Sequence, residues 1–211
     1  MLKKYSWLFF FFLAGTLSFA QNPERPLSGS GVERIAKEVR HEILLLPYYG
    51  VFDILTYKVN PEGMVTLSGA VARPTLRSDA ENVVKRIEGV EKVDNQIKVL
   101  PVSPNDDRIR REAFRTIYGF PSLNKYAWES VQSIHIIVEN GTLTLEGLVD
   151  SQGDKETAEI QAKGVSGAFK IVNNLKVGSP SSGNAEGDVI RGSEGSGNSK
   201  LQCVFIPTKI N

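Results

Sequence analysis

The sequence predicts an α+β protein of two tandem α-β-β-α-β modules, each a small mixed three-stranded sheet covered by two helices. Three observations predict it. The 211-residue chain repeats VTLSGAV (Val65–Val71) as LTLEGLV (Leu143–Val149), at an offset of 78 residues. At the same offset GVEKVDNQIKV (Gly89–Val99) recurs as GAFKIVNNLKV (Gly167–Val177), with Ala80 over Ala158 and Glu81 over Glu159. One register held over more than thirty residues implies a duplicated unit, too long for a solenoid repeat and sized for a small domain. Within each copy the hydrophobic spacing then switches between helical and alternating in the same order.

In the first copy, Ser30-Gly-Val-Glu33 has the form of a capping box and opens a helix whose stripe is Ile35, Val39, Ile43 and Leu46, stopped by Pro47. Leu55, Tyr57 and Val59 alternate with polar residues as a strand. Asn60-Pro-Glu-Gly63 turns the chain, and Val65, Leu67, Gly69 and Val71 return it as the second arm of a hairpin. A second helix from about Ser78 carries Ala80, Val83, Val84 and Ile87, and a last strand carries Val93, Ile97 and Val99.

The second copy follows the same course. Ile109, Ala113 and Ile117 mark its first helix, and Ile134, Ile136 and Val138 its first strand. Asn140-Gly141 suits a two-residue turn, because both positions tolerate positive φ. Leu143, Leu145 and Val149 return the chain, Ala158, Ala162 and Val165 line the second helix, and Ile171, Leu175 and Val177 close the sheet. Each unit is near the lower size limit for an independent core, so the two are expected to stabilise each other by docking.

The ends read differently. Lys3 and Lys4, an apolar run from Trp7 to Leu17, and Ser18-Phe19-Ala20 form a secretory signal with cleavage expected after Ala20. The chain then divides into the leader 1–20, a linker 21–30, the first module 31–101, a proline-bearing linker 102–106, the second module 107–178 and a tail 179–211. The tail is rich in Gly, Ser and charge, a composition expected to be disordered; its last apolar stretch, Leu201–Ile206, could add to a sheet edge. Cys203 is the only cysteine, so no internal disulfide forms and the cores hold by packing.

Formal net charge is +1, from 25 Lys and Arg against 24 Asp and Glu, which excludes nucleic-acid binding by bulk electrostatics. Catalysis needs convergent groups, and the two histidines and one cysteine supply none. His41 lies in the first helix between charged neighbours. His135 alternates out of phase with Ile134 and Ile136 and points away from its module's core. With no metal-ligand or phosphate-loop spacing either, the reading is a non-enzymatic protein without metal or cofactor.

One constellation stands out. Arg108, Arg110, Arg111 and Arg115 fall on the first helix of the second module, and Phe120, Lys125, Tyr126 and Trp128 follow in an insertion. Arg108, Arg111, Arg115, Phe120, Lys125, Tyr126 and Trp128 are the candidate lipid contacts, because guanidinium groups meet phosphates while Trp and Tyr settle at headgroup level. Asp106, Asp107 and Glu112 temper the positive charge. The competing reading has the arginines solvated or ion-paired, and Phe120 and Trp128 filling the core or the joint between modules.

The paired hairpins, VTLSGAV with GVEKVDNQIKV and LTLEGLV with GAFKIVNNLKV, resemble the BON domain family in its OsmY-like arrangement of two tandem domains behind a signal peptide. The resemblance covers about Gly31 to Gly178. It implies an α-β-β-α-β fold, a periplasmic or secreted location, and non-enzymatic attachment to phospholipid membranes in support of envelope integrity or osmotic-stress resistance. The expected partner is an anionic phospholipid surface; the alternative is an envelope protein or cell-wall component. The chain departs from the family at Pro47-Tyr48-Tyr49 and in the insertion Gly119 to Ser133, so the motif itself places no lipid contact.

Overall fold

The structure is a computed structural model that describes residues 27–128 and 132–178. The expected leader, the Gly/Ser-rich tail, Leu201–Ile206 and Cys203 lie outside those residues. The first module runs α1 (Gly29–Leu44), β1 (Ile54–Val59), β2 (Met64–Val71), α2 (Pro74–Val84), β3 (Lys92–Asn95) and β4 (Lys98–Val99). The second runs α3 (Pro104–Tyr118), a short 3-10 helix (Asn124–Trp128), β5 (Ile134–Glu139), β6 (Thr142–Val149), α4 (Gln152–Lys163), β7 (Lys170–Asn173) and β8 (Lys176–Val177). In each sheet the hairpin is antiparallel, and the last strand, broken into two runs, lies parallel to the hairpin's second arm. The expected pair of α+β modules is therefore present.

Three helices start earlier than their sequence signals suggest. α1 is capped by Ser28, whose hydroxyl accepts from the Gly31 amide at 3.3 Å, rather than by Ser30. α2 begins at Pro74 rather than Ser78, because proline at the first position forfeits only an amide that has no helical partner. α3 begins at Pro104, inside the expected 102–106 linker, for the same reason and with Ser103 as its cap. Pro74 and Pro104 thus each open a helix.

The repeated residues bind each module to itself. Asn95 donates its amide to Arg77 O at 2.9 Å and Glu81 Oε2 at 2.8 Å and accepts from the Ile97 amide at 3.1 Å. Asn173 makes the same three bonds, to Lys155 O, Glu159 Oε2 and Leu175 N, at 3.0, 3.2 and 3.2 Å. Each asparagine fastens the broken strand to its helix and turns Ile97 or Leu175 into the core. Gly69 and Gly147 adopt φ of 115° and 122°, and a Cβ there would fall 2.1 and 1.9 Å from the Ile54 and Ser133 carbonyl oxygens. Only glycine lets the hairpin arms approach so closely.

The modules dock through a segment read from sequence only as a broken connection. Tyr48 takes a left-handed φ of 70°, leaving its own ring exposed beneath Arg73 at 4.7 Å while Tyr49 turns toward the second module. Val51 then lies along β5 and its carbonyl accepts from the Ile136 amide at 2.7 Å, while Val51 and Phe52 pack on the second core. Lys98 and Glu139 pair at 2.6 Å across the rim. Leu100, Ile137 and Leu148 are buried yet belong to neither module's core, as expected at a joint.

Candidate functional site

The first helix of the second module and the insertion after it hold all seven candidate residues, and the structure separates them by what they touch. Arg108 is a structural clamp. It pairs with Glu112 at 2.9 Å and donates to Ser166 O at 3.1 Å, just before Gly167. Arg34 does the same in the first module, bonding Glu38 at 3.1 Å and Glu88 O at 2.8 Å, just before Gly89. A Cβ on Gly167 would fall 2.2 Å from Arg108 Nη2, so glycine there makes room for the guanidinium.

Tyr126 is a core residue, 3% exposed. Its hydroxyl donates to Asp154 Oδ2 at 2.8 Å and accepts from the Asp150 amide at 2.8 Å, and burial pushes its pKa up to about 12. Lys125 is held by Asp150 and Asp154, both at 2.9 Å. Those carboxylates raise its pKa, Asp150 most strongly. Asp154, whose amide donates to the α4 cap Ser151 at 3.1 Å, is partly buried, but its bonds with Lys125, Tyr126 and Ser151 outweigh that burial and lower its pKa. This cluster pins the insertion to the start of α4. Of these three candidates, Arg108 and Lys125 are thus exposed but ion-paired, and Tyr126 is buried.

Arg111, Arg115, Phe120 and Trp128 remain on the surface. Arg111 and Arg115 share one face of α3, opposite the buried stripe of Ile109, Ala113 and Ile117, and neither forms an ion pair among the described residues. Trp128 is 82% exposed, its indole N–H donating to Asn124 Oδ1 at 2.6 Å, and Phe120 is about one-third exposed. Phe120 and Trp128 thus do not fill the core; Leu123 and Tyr126 do. Phe114, beside Arg111 and Arg115 and missed by sequence reading, is partly exposed but packs its ring edge-on against Phe52 of the first module at 6.3 Å and tilted against Tyr118 at 5.0 Å. The signal was there, since Phe114 falls out of phase with the Ile109-Ala113-Ile117 stripe.

The fourth arginine of the helix goes inward. Arg110 donates to Val138 O at 2.6 Å and pairs with Asp107, and Tyr118 donates its hydroxyl to Ile134 O. With Val51 on Ile136, the outer edge of β5 is covered by side chains of α3 and backbone of the first module. Asp106, read as a charge that dilutes the basic helix, is 1% exposed and accepts from the Asn140 and Gly141 amides, both at 2.9 Å. His135 does point away from its own core, yet it is wholly buried, because the first module covers that face.

Among the described residues no group of three or more His, Cys, Asp or Glu side chains could hold a metal ion, and no helix is long and apolar enough to cross a membrane. On this face of the second module, among the described residues, Arg111 and Arg115 stand without ion pairs near the exposed Trp128 and the partly exposed Phe120, an arrangement suited to an interface between water and a polar, anionic layer.

Two stretches, residues 31–101 and 122–179, match the BON domain and together make up more than half of the chain. The chain belongs to the BON domain family, with the domain present twice. It is 34% identical over 116 residues to the osmotically-inducible protein Y of Escherichia coli (strain K12), an alignment covering 54% of this chain and 57% of that protein. The chain thus spans somewhat over half the length of that relative. Among solved structures it is similar to CdsD, a structural protein of the type III secretion system of Chlamydia trachomatis, at 14% identity and a TM-score of 0.26, covering 69% of this chain and 94% of that one. The C-terminal domain of the same protein gives 14% identity and a TM-score of 0.25, covering 67% and 96%.

Proposed function

We propose that this chain is a non-enzymatic, extracytoplasmic protein that binds the phospholipid surface of the cell envelope and supports it under osmotic stress. Membership of the BON domain family and the likeness to an osmotically-inducible protein support the setting. The observation that carries the contact is the exposed set on the second module: Arg111 and Arg115 without ion pairs among the described residues, and Trp128 standing almost fully in solvent with Phe120 partly so. Arg111 and Arg115 would meet lipid phosphates, each contributing about 1 kcal/mol near an anionic surface. Trp128 would enter the headgroup layer.

Co-sedimentation with vesicles of neutral lipid and of mixed neutral and anionic lipid, at low and high salt, tests the reading. Binding to the anionic vesicles alone, weakened by salt, is the expected result. Trp128→Ala combined with Arg111→Glu abolishes that binding while the circular dichroism spectrum stays unchanged. Absence of binding to either vesicle, or wild-type binding by the double variant, overturns the assignment of this face.

A further inference from the structure

We infer that the joint between the two modules is an acid-sensitive latch: His135, held uncharged and unpartnered between them, keeps the modules docked, and a proton on its ring releases them. The geometry is that of a dry seal. His135 is wholly buried, and neither ring nitrogen has a hydrogen-bond partner among the described residues. The ring of Tyr49, from the first module, lies over it at 5.9 Å between centroids. The Tyr49 and Ser133 hydroxyls are buried in the same seal, and neither makes a hydrogen bond to the imidazole among the described residues. An imidazolium in this position would be a buried charge that the nearby Asp53 and Gly50 backbone only partly offsets, which a structure avoids by opening to water.

The charged groups around the joint do not relieve that penalty. On the neighbouring strand Glu146 stands directly across from His135, but its carboxylate accepts from the Asn174 amide group at 2.7 Å. Glu139, further along β5, is paired with Lys98 at the rim. From α3, Arg110 adds positive charge and is committed to Val138 O and Asp107. From the first module, Asp53 turns its carboxylate to the Ala72 and Gly50 amides, at 2.7 and 3.3 Å.

Burial pushes the His135 pKa down to about 4 from the ordinary 6.5, with the nearby Asp53 and Gly50 backbone opposing part of the shift. The undocked form therefore binds a proton that the docked form rejects. Docking is strongest above pH 6.5 and weakens as the pH falls toward 4. Asp53 acts in the opposite sense: burial raises its pKa, so acid favours the state in which it is buried. An acid-induced opening at this joint must then come from the histidine.

Hydrogen exchange by NMR on the full chain, isolated as its host processes it, reads the latch directly. The Ile136 amide bonds Val51 across the joint, whereas β6 amides report unfolding of the second module itself. After correction for intrinsic exchange, the protection of Ile136 relative to β6 falls about thirtyfold between pH 8 and pH 5, the ratio set by the two pKa values. His135→Phe abolishes the fall, and Glu146→Gln leaves it in place. Equal relative protection at both pH values, or the same fall in His135→Phe, overturns the inference. Should that variant lose β6 protection, His135→Leu takes its place. A ring titration of wild-type His135 at its ordinary value overturns the inference independently of either variant.

Discussion

Replacing Asp106 by alanine removes the support of the second hairpin's turn, and the structure sets the size of the effect. Asp106 sits three residues after the cap of α3, yet its carboxylate leaves the helix and receives the amides of Asn140 and Gly141 at 2.9 Å. Those residues hold φ of 49° and 73°, the left-handed pair that a two-residue turn needs. Gly141 is buried, so its amide loses its partner without gaining water, at roughly 2 kcal/mol, while Asn140 is exposed and recovers most of its bond from solvent, losing about 0.5 kcal/mol. Loss of a carboxylate near the start of α3 adds about 0.5 kcal/mol. The sum is about 3 kcal/mol. With an m-value of about 1 kcal/mol/M for a module of this size, urea unfolding followed by far-UV circular dichroism shifts the second module's midpoint down by about 3 M. Asp106→Asn, which keeps one acceptor, falls between wild type and alanine. A shift under about 0.5 M for Asp106→Ala would refute the reasoning and mean that the turn stands without a helix carboxylate, as it does in the first module, where Val32 takes the equivalent place and the turn's own Asn60 accepts from the Met64 amide.

Two further outcomes follow from the site. Arg108→Ala lowers the thermal midpoint of the second module and leaves anionic-vesicle binding at wild-type strength, whereas Arg111→Ala with Arg115→Ala does the reverse; vesicle binding and thermal melts on the same samples separate them, and loss of vesicle binding in Arg108→Ala would contradict the clamp. Asp154 has a pKa held below its ordinary 3.8, so the stability it contributes is present above that value and lost as the pH falls through the folded pKa; Asp154→Asn lowers the melting temperature at pH 7 and flattens the acid limb below about pH 4, which a pH series of melts checks.

The sequence alone determined the element order, the duplication and the regular stripe of each core, but not Leu76, Tyr118, Leu123 or Tyr126. Ile35, Val39 and Ile43, or Leu143 and Leu145, are legible because burial on one face of a regular element imposes a period that survives in the letters. The residues repeated at a fixed offset were legible as important but not as what they are. Gly147, Asn173 and Glu159 serve the module's own backbone.

What only the tertiary structure decided is what covers each face and which partner each polar group finds. Arg108 and Arg111 share a helix and a charge; one is spent on Ser166 and Glu112 and the other faces water, a difference set by a loop nearly sixty residues away. Tyr126 and Trp128 lie two apart in a stretch without period, so nothing local says which turns inward. Alternation correctly sent His135 to the far side of its sheet, but burial there depends on a segment of the other module. Period fixes direction because it is a property of one element's geometry. Partner and cover are properties of two elements brought together, and no local pattern records them.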